Sequence, residues 1–142
     1  MPLRSNGDCA MSGSRYLLDT KAIIQLLKGN PELALLASKA DFLAASVIAD
    51  LEFLSFRGLS DADAALYRAF RSRIWIFDVP SDDPLFTRTV VEARKTFNLK
   101  LPDAIIAATA RANALTVLTA DDHFKQLPPP WQVRFYTSLP PP

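Results

Sequence analysis

Short, mostly apolar segments alternate with longer stretches of helical periodicity along most of the chain. The segments at 16–18, 42–45, 74–79, 115–118 and 133–136 have the length of β-strands. A strand that is apolar throughout is typical of a parallel sheet whose two faces are both covered by helices. The chain is therefore predicted to be an α/β protein, a three-layer α/β/α sandwich with a central parallel sheet of about five strands.

Six segments between these strands have the spacing of amphipathic helices. They are predicted at 20–28, 32–40, 47–57, from Ser60 onward, at 84–97 and at 102–113. Asn98 follows the fifth helix and suits a left-handed C-terminal position. A helix that joins two parallel strands begins at the carboxyl edge of the sheet, so the helix from Pro84 is expected to leave that edge. The sequence spacing does not determine whether the helix from Pro102 begins at the carboxyl edge or at the amino edge of the sheet.

The length of 142 residues predicts one domain. We expect a flexible leader at 1–14, the domain at 15–137 and a Pro-rich tail at 138–142, with Met11 as an alternative start. Cys9 is the single cysteine, which excludes an internal disulfide and a metal site built on cysteines. No segment is long and apolar enough to cross a bilayer, and we expect a cytoplasmic protein without a membrane partner.

Four acidic residues follow or adjoin the predicted strands. Asp19 directly follows the first strand and Asp121 comes shortly after the fourth, Glu52 lies in the helix after the second strand, and Asp103 lies in the first turn of a helix. Taken singly, each has a structural explanation, since the three aspartates suit helix or turn caps and Glu52 suits a solvent-exposed face. Ligands of open parallel sheets bind beyond the carboxyl ends of the strands. The joint pattern therefore predicts one acidic site at that edge.

The segments that contain these acids are similar to the acidic motifs of PIN-domain ribonucleases, above all the VapC-type toxins of bacterial VapBC toxin–antitoxin pairs. They read LLDT, SVIADLEFL, LPDAIIAATA and VLTADDHF, and LPDAIIAATA is the most specific of them. The resemblance extends from about Tyr16 to Tyr136. It implies a PIN-like fold in which the helix from Pro102 begins at the acidic cleft.

The resemblance also implies an activity and partners. It implies a metal-dependent endoribonuclease that cleaves RNA, inhibits translation and growth as a toxin, forms a homodimer and is held in check by a cognate antitoxin. The C-terminal segment of the antitoxin would lie in a groove, for which the LEFLSF helix and the Ala-rich second helix are candidates. The resemblance leaves open which RNA is cut, whether tRNA, rRNA or mRNA.

Carried over residue by residue, the catalytic acids of the family fall on Asp19, Glu52, Asp103 and Asp121. Thr119 joins them as a supporting hydroxyl. The last acid remains open between Asp121 and the adjacent Asp122, which is kept as a supporting residue. The position two residues after Thr119 favours Asp121. Ala49 departs from the Ser or Thr of many relatives, so the helix of Glu52 is expected to be capped by Ser46.

Several carboxylates held together raise one another's pKa values, and a divalent cation relieves that repulsion. Oxygen ligands favour Mg²⁺ or Mn²⁺. Asp19 and Asp103 are expected to contact the metal directly. Asp121 and Glu52 are expected to hold metal-bound waters or a second ion, and one of them is a candidate to deprotonate the attacking water. The number of metal ions stays open.

An acidic cleft repels RNA, so nearby cations should receive the phosphates. The candidates are Lys21, Arg71, Arg73, Arg94, Lys95 and Lys100. Each of them, taken alone, is better explained as part of a solvated helix face. His123 is interpreted as a turn residue, and Trp75 and Trp131 are interpreted as packing residues.

Two other functions remain to be weighed. The first is a non-catalytic α/β protein-interaction module whose acids hold a structural cation, which the joint presence of the motifs argues against. The second is a receiver-type phospho-acceptor domain, which also clusters acids at strand ends. Such a domain needs a lysine after its last strand, and the sequence after Val133 contains none.

Overall fold

Five short parallel strands form a single sheet in the computed structural model, which describes residues 14–140. They are β1 (Arg15–Leu18), β2 (Phe42–Ser46), β3 (Trp75–Phe77), β4 (Thr116–Thr119) and β5 (Val133–Phe135). The strand order is β3-β2-β1-β4-β5. Nearly all of the predicted leader, with Met11 and Cys9, lies outside the described residues, and so do residues 141–142 of the predicted tail.

Six α-helices and one 3-10 helix connect these strands within residues 14–140. The α-helices are α1 (Thr20–Leu27), α2 (Pro31–Lys39), α3 (Val47–Leu54), α4 (Asp61–Arg71), α5 (Pro84–Lys95) and α6 (Leu101–Ala112). The 3-10 helix spans Asp122–Gln126. The helices flank the five-stranded parallel sheet, which confirms the predicted three-layer α/β/α sandwich. None of the described helices reaches the length of about 20 apolar residues that a membrane crossing requires.

The register of the central strands brings three chain segments to one edge of the sheet. Leu18 of β1 pairs with Ala45 of β2 on one side and with Leu118 of β4 on the other. The next residues, Asp19 and Thr119, therefore leave the sheet side by side at its carboxyl edge. The backbone amide of Asp19 extends this alignment by donating to the Leu118 carbonyl at 3.3 Å.

The three central strands supply the core, whereas the two edge strands do not. Leu17, Leu18 and Leu118 are fully buried. The prediction that all five strands are buried on both faces is wrong for β3 and β5, whose residues at the two edges of the sheet are half-buried or exposed and are only partly packed against the core. Trp75 of β3 is 58% exposed, whereas Trp131 is buried in the core.

The helical hairpin of α5 and α6 determines where the start of α6 lies. Asn98 adopts the predicted left-handed conformation with φ of 61° and reverses the chain. The end of α6 lies at the amino edge of the sheet, where the Arg15 guanidinium donates to the Asn113 carbonyl at 3.5 Å. Asp83, at the start of α5, lines the same cavity as Arg111 near the end of α6. The expectation that the helix from Pro84 leaves the carboxyl edge is therefore wrong, because the irregular segment 78–83 first crosses to the amino edge.

A half-buried ion pair joins α3 to α4. The Arg71 guanidinium donates to both carboxylate oxygens of Asp50, at 2.8 and 3.2 Å, and the Tyr67 hydroxyl donates to the same carboxylate. Burial alone would raise the pKa of Asp50, but the hydrogen bonds from Arg71 and Tyr67 hold it below its ordinary value. Phe53 stacks on the Tyr67 ring at 4.2 Å. These contacts fix the orientation of α3, the helix that contains Glu52.

Asn30 joins the α1–α2 turn to the chain after β5. Its side-chain oxygen caps α2 by accepting from the backbone amides of Glu32 and Leu33, at 3.0 and 3.2 Å. Its side-chain nitrogen donates to the Thr137 carbonyl at 2.9 Å and to Gln25 at 3.0 Å. Because Asn30 is only 1% exposed, water cannot easily replace these bonds.

We expect Asn30→Ala to lower the free energy of unfolding by about 2–4 kcal/mol, since it removes a helix cap and also the buried donor that binds the Thr137 carbonyl. Ser60→Ala is the matched control, because Ser60 caps α4 at an exposed site through a 3.0 Å bond from the Asp63 amide. Its loss should be about 1 kcal/mol or less. Urea denaturation of both variants measures the difference, and equal losses would show that Asn30 acts only as a cap.

Candidate active site

Asp19 lies at the junction of β1 and α1, where it is both a helix cap and a buried acid. One carboxylate oxygen accepts from the Ala22 amide at 2.8 Å, and the other accepts from the Thr119 hydroxyl at 2.5 Å. The residue is only 5% exposed. The sequence places an acid between two apolar segments because the following helix needs a cap and the neighbouring strand supplies a donor.

The environment of Asp19 disfavours its charged form. Burial raises its pKa, the bonds from Thr119 and Ala22 lower it, and the negative charges of Asp103 and Asp121 raise it again. The net result is a pKa of about 6 in place of 3.8. Near neutral pH the protein therefore holds a buried carboxylate beside two other acids at an energetic cost, which a cation would relieve.

Thr119, the last residue of β4, connects two of the acids. Its hydroxyl donates to Asp19 and accepts from the Asp121 amide at 3.0 Å, and its side chain is fully buried. The hydroxyl therefore fixes both the Asp19 carboxylate and the backbone that leads to Asp121. This is the supporting position that the sequence predicts for it.

Asp121 faces the other acids, and Asp122 does not. The Asp121 carboxylate caps the 3-10 helix by accepting from the His123 amide at 2.9 Å, and the same oxygen lies 2.9 Å from His123 Nδ1. Asp122 has a side chain that is 83% exposed and paired with Lys125 at 3.0 Å. The geometry therefore favours Asp121 as the fourth acid. His123 lies in the turn that was predicted, but its ring contact with Asp121 was missed because the 3-10 helix was not predicted.

Asp103 completes the cluster from the first turn of α6. Burial raises its pKa first, followed by the charges of Asp121 and Glu52, while the charges of His123 and Lys100 lower it. These charges act on Asp103 because α6 begins at the carboxyl edge of the sheet. The sequence spacing alone could not determine this position of α6.

Glu52 lies at the rim of the cluster, on the exposed side of α3. One of its carboxylate oxygens accepts from the Thr20 hydroxyl at 2.5 Å. The predicted cap of this helix is present, since the Ser46 hydroxyl accepts from the Ile48 amide at 3.1 Å. Sequence reasoning missed Thr20, which is the first residue of α1 and could have been noted as the hydroxyl that directly follows Asp19.

The cluster has the chemistry of a hard-cation site. Within residues 14–140, no group of three or more His, Cys, Asp or Glu side chains is arranged so that it could hold a metal ion. Mg²⁺ usually binds one or two carboxylates and keeps several waters, so it does not need a full protein cage. The all-oxygen donors and the raised pKa values of Asp19 and Asp103 fit such an ion.

A family model described as the PIN domain matches residues 16–128. The chain belongs to the PIN domain family. The resemblance predicted from LPDAIIAATA and its companion segments is thereby confirmed. A search of curated protein sequences found no significant match.

Solved structures of PIN-like proteins share the fold. A toxin–antitoxin complex from Klebsiella pneumoniae is 29% identical over 80% of this chain and 92% of that chain, with a TM-score of 0.66. VapBC-5, a toxin–antitoxin system from Mycobacterium tuberculosis, is 25% identical over 86% and 97% of the two chains, with a TM-score of 0.58. VapBC2 from Rickettsia felis bound to a promoter DNA fragment is 22% identical over 86% and 98%, with a TM-score of 0.68, a likeness of fold alone.

Of the six cations predicted to bind RNA, two are related by contacts or charge to the acidic edge of this PIN domain. The charge of Lys100 acts on Asp103, and Lys21 lines a cavity together with Asp121. Arg71 is instead bound to Asp50. Arg94 donates to the Leu99 carbonyl at 3.4 Å, in the turn before α6. The two remaining cations, Arg73 and Lys95, are exposed near helix ends.

Tyr136 is a residue that sequence reasoning missed at this edge of the PIN domain. β5 pairs with β4 through Phe135 and Thr119, so Tyr136 follows β5 at the level of the acids. Its hydroxyl is buried and has no hydrogen-bond partner among the described residues. The parallel register was the available signal, but Tyr136 was considered only as the last residue of the fifth predicted strand.

Asp19→Asn should make the protein more stable at neutral pH. Because the native state binds the Asp19 proton more tightly than the unfolded state does, the unfolding free energy falls as the pH rises from about 4 to about 6. The rise of its pKa from 3.8 to about 6 corresponds to about 3 kcal/mol as an upper value. Asparagine keeps the cap and removes the charge. The variant should gain about 1–3 kcal/mol at pH 7 and lose most of this pH dependence in denaturation measurements.

Asp122→Asn is the matched control for that measurement, since it removes an exposed carboxylate three residues after Thr119. Its unfolding free energy should change by less than about 0.5 kcal/mol at every pH. Parallel curves for Asp19→Asn and the unmodified protein between pH 4 and 7 would contradict the buried-charge interpretation.

Proposed function

We propose that this PIN domain is a metal-dependent endoribonuclease that cleaves RNA phosphodiester bonds and acts as the toxin of a toxin–antitoxin pair. The observation that supports it most is the mutual influence of Asp19, Asp103 and Asp121 at the carboxyl edge of the sheet. Membership of the PIN domain family and the 29% identity to a chain of the Klebsiella pneumoniae toxin–antitoxin complex support the same proposal.

The proposed metal ligands are Asp19, Asp103 and Asp121, with Mg²⁺ or Mn²⁺ as the ion. A bound ion of this kind supplies a water of lowered pKa and stabilises charge on the phosphodiester. Asp19 is held in place by two donors before any ligand arrives, which is the preorganisation that catalysis needs. Glu52, held by Thr20 at the rim, and Asp121 are the candidates to accept a proton from the attacking water.

Cations near the acids are proposed to receive the RNA backbone. Lys100 lies close enough to Asp103 to influence its pKa, and Lys21 lies beside Asp121. Arg71 is the weakest of the six candidates, because its guanidinium already binds both oxygens of Asp50. Its removal would affect the packing of α3 against α4 more than RNA binding.

Asp19→Asn and Asp103→Asn should each reduce Mg²⁺-dependent RNA cleavage by at least roughly 100-fold, because each removes a carboxylate from the proposed metal site. Asp122→Asn should cleave like the unmodified protein. Cleavage of labelled total RNA, measured with Mg²⁺, Mn²⁺ or excess EDTA, checks the prediction. Sequencing the new RNA ends identifies the target among tRNA, rRNA and mRNA.

A thermal-shift titration with Mn²⁺ and an RNA cleavage assay, taken together, distinguish the nuclease from an interaction module with a structural cation. Both functions predict that Mn²⁺ raises the melting temperature of the unmodified protein and not that of Asp103→Asn. Only the nuclease predicts that RNA is cut. Metal binding without cleavage of any RNA would therefore favour the interaction module.

An apolar groove between α1, α3 and α4 is the proposed binding site of the antitoxin. Its lining is mostly apolar and includes Ile24, Leu27, Phe53, Phe56, Leu59 and Leu66. Phe56 and Leu66 are 54% and 49% exposed, which is unusual for such side chains unless a partner covers them. The groove includes the predicted LEFLSF helix, but its other walls are formed by α1 and α4 and not by the Ala-rich second helix.

We also propose that the protein forms a homodimer and acts in the cytoplasm, on the ground of family resemblance.

Phe56→Lys should prevent co-purification of the protein encoded by the adjacent upstream reading frame while leaving RNA cleavage unchanged, because the charge would enter an apolar interface. Leu85→Lys is the matched control, since Leu85 is 65% exposed on α5 and lines a different cavity. Tandem expression and affinity purification give the measurement. Equal binding by both variants would place the antitoxin elsewhere.

A further inference from the structure

Thr20, the first residue of α1, uses its hydroxyl on a different helix. The hydroxyl donates to Glu52 Oε1 at 2.5 Å, although the two residues are 32 positions apart in the chain. The hydroxyl is not needed to begin α1, because Asp19 caps that helix through the Ala22 amide. It therefore serves to join the start of α1 to the acid on α3.

The bond from Thr20 is the one contact that holds the Glu52 side chain. Glu52 is exposed, and within residues 14–140 no other side chain forms a hydrogen bond or an ion pair with it. An unbound glutamate at an exposed helix position rotates among several side-chain conformations. The Ser46 cap and the bonds of Asp50 already fix the helix itself. The Thr20 hydroxyl therefore orients the Glu52 side chain and not α3.

This orientation places the Glu52 carboxylate at the acidic cluster. Thr20 directly follows Asp19 in the chain, so a carboxylate bound to its hydroxyl lies beside that proposed metal ligand. After burial and the charge of Asp121, the negative charge of Glu52 raises the pKa of Asp103. Oε1 of Glu52 is bound to Thr20, whereas Oε2 accepts from none of the described residues. Glu52 therefore has one fixed oxygen and one free oxygen at the cluster.

We propose that Thr20 is a positioning residue, which holds Glu52 so that its free oxygen accepts the proton of the attacking water. The proposal rests on the nuclease function proposed above, and it selects Glu52 over Asp121 for this proton transfer. Asp121 is less suited, because it is a proposed metal ligand and a carboxylate beside a cation takes up a proton less readily. One of its oxygens also accepts already from the His123 amide.

The proton transfer belongs to a hydrolysis step in which the position of the base matters. The water oxygen forms a bond to phosphorus while its proton passes to Glu52. The bond from phosphorus to the leaving ribose oxygen breaks, and that oxygen takes a proton from solvent water. A base has to lie within about 3 Å of the water that it deprotonates. Thr20 supplies this restraint through Glu52 and does not itself contact the reacting atoms.

Cleavage kinetics with Mg²⁺ test the role of Thr20. Thr20→Val keeps the shape of the side chain and removes the hydroxyl, so kcat should fall about tenfold while KM changes by less than about twofold. Thr20→Ser keeps the hydroxyl and should retain roughly half of kcat or more. In a Glu52→Gln background, Thr20→Val should cause no further loss, because the group through which it acts is already disabled.

Thr116→Val is the matched control. It removes another threonine hydroxyl that donates to a side chain at an exposed site, since Thr116 binds Gln132 Oε1 at 3.0 Å. Thr116 begins β4 and therefore lies at the amino edge of the sheet, away from the acids. Both kcat and KM of this variant should equal those of the unmodified protein.

NMR of the full chain tests the positioning without RNA. Three-bond coupling constants should show one side-chain conformation of Glu52 in the unmodified protein and in Thr116→Val, and an average of several in Thr20→Val. Mn²⁺ should raise the melting temperature of Thr20→Val as much as that of the unmodified protein, because Glu52 is not among the proposed metal ligands. Urea denaturation checks that the variants are folded.

Four results would overturn the proposal. They are an unchanged kcat in Thr20→Val, an equal loss with and without Glu52→Gln, an unchanged conformation of Glu52, and weaker Mn²⁺ binding by Thr20→Val. The last result would show that Thr20 acts on Asp19 and the metal site. If the unmodified protein cuts no RNA, the nuclease function is wrong and the proton transfer with it, whereas the coupling constants still decide whether Thr20 positions Glu52.

Discussion

The hydrogen bond from Thr119 to Asp19 is the interaction on which the acidic edge depends. It joins the ends of β4 and β1 and, with the Ala22 amide, satisfies both oxygens of a buried carboxylate. Without these donors the charged form would cost several kcal/mol more. With them the pKa of Asp19 still rises to about 6, because burial and the neighbouring acids outweigh the two bonds. The fold therefore tolerates the negative charge of Asp19 without fully stabilising it. A bound cation would supply the missing stabilisation.

Two polar contacts outside the cluster keep its surroundings in place. The ion pair between Asp50 and Arg71 fixes α3 against α4 and so positions Glu52 at the rim. Asn30 binds the carbonyl of Thr137 and thereby holds the residue that follows Tyr136 against the α1–α2 turn. Both contacts are buried or half-buried, where a lost partner is costly. The stability of the scaffold and the geometry of the proposed site consequently depend on the same side chains.

The sequence predicted what local patterns encode and failed where tertiary pairing decides. The alternation of apolar strands and helices was sufficient to predict the parallel sheet. Asp19 and Asp121 could be predicted as members of the acidic cluster because each comes after a strand. The direction of α5 was wrong, because periodicity does not say where the irregular segment 78–83 leads. Arg71 looked like any solvated cation, since its partner lies 21 residues away on another helix. Tyr136 was missed because a pattern of apolar residues does not reveal whether a buried hydroxyl has a hydrogen-bond partner.

Helix α1 connects the acidic edge to the apolar groove. Its first turn supplies Thr20 and Lys21 to the acidic side, and its second half supplies Leu27 to the groove. Ile24 lines both the groove and a second cavity, whose wall includes Lys21 and Asp121. A segment bound in the groove would therefore end one side chain away from the acidic edge. If the groove binds the antitoxin as proposed, a basic residue extending from that segment would compensate the charge of Asp19, the same charge that a metal ion would compensate.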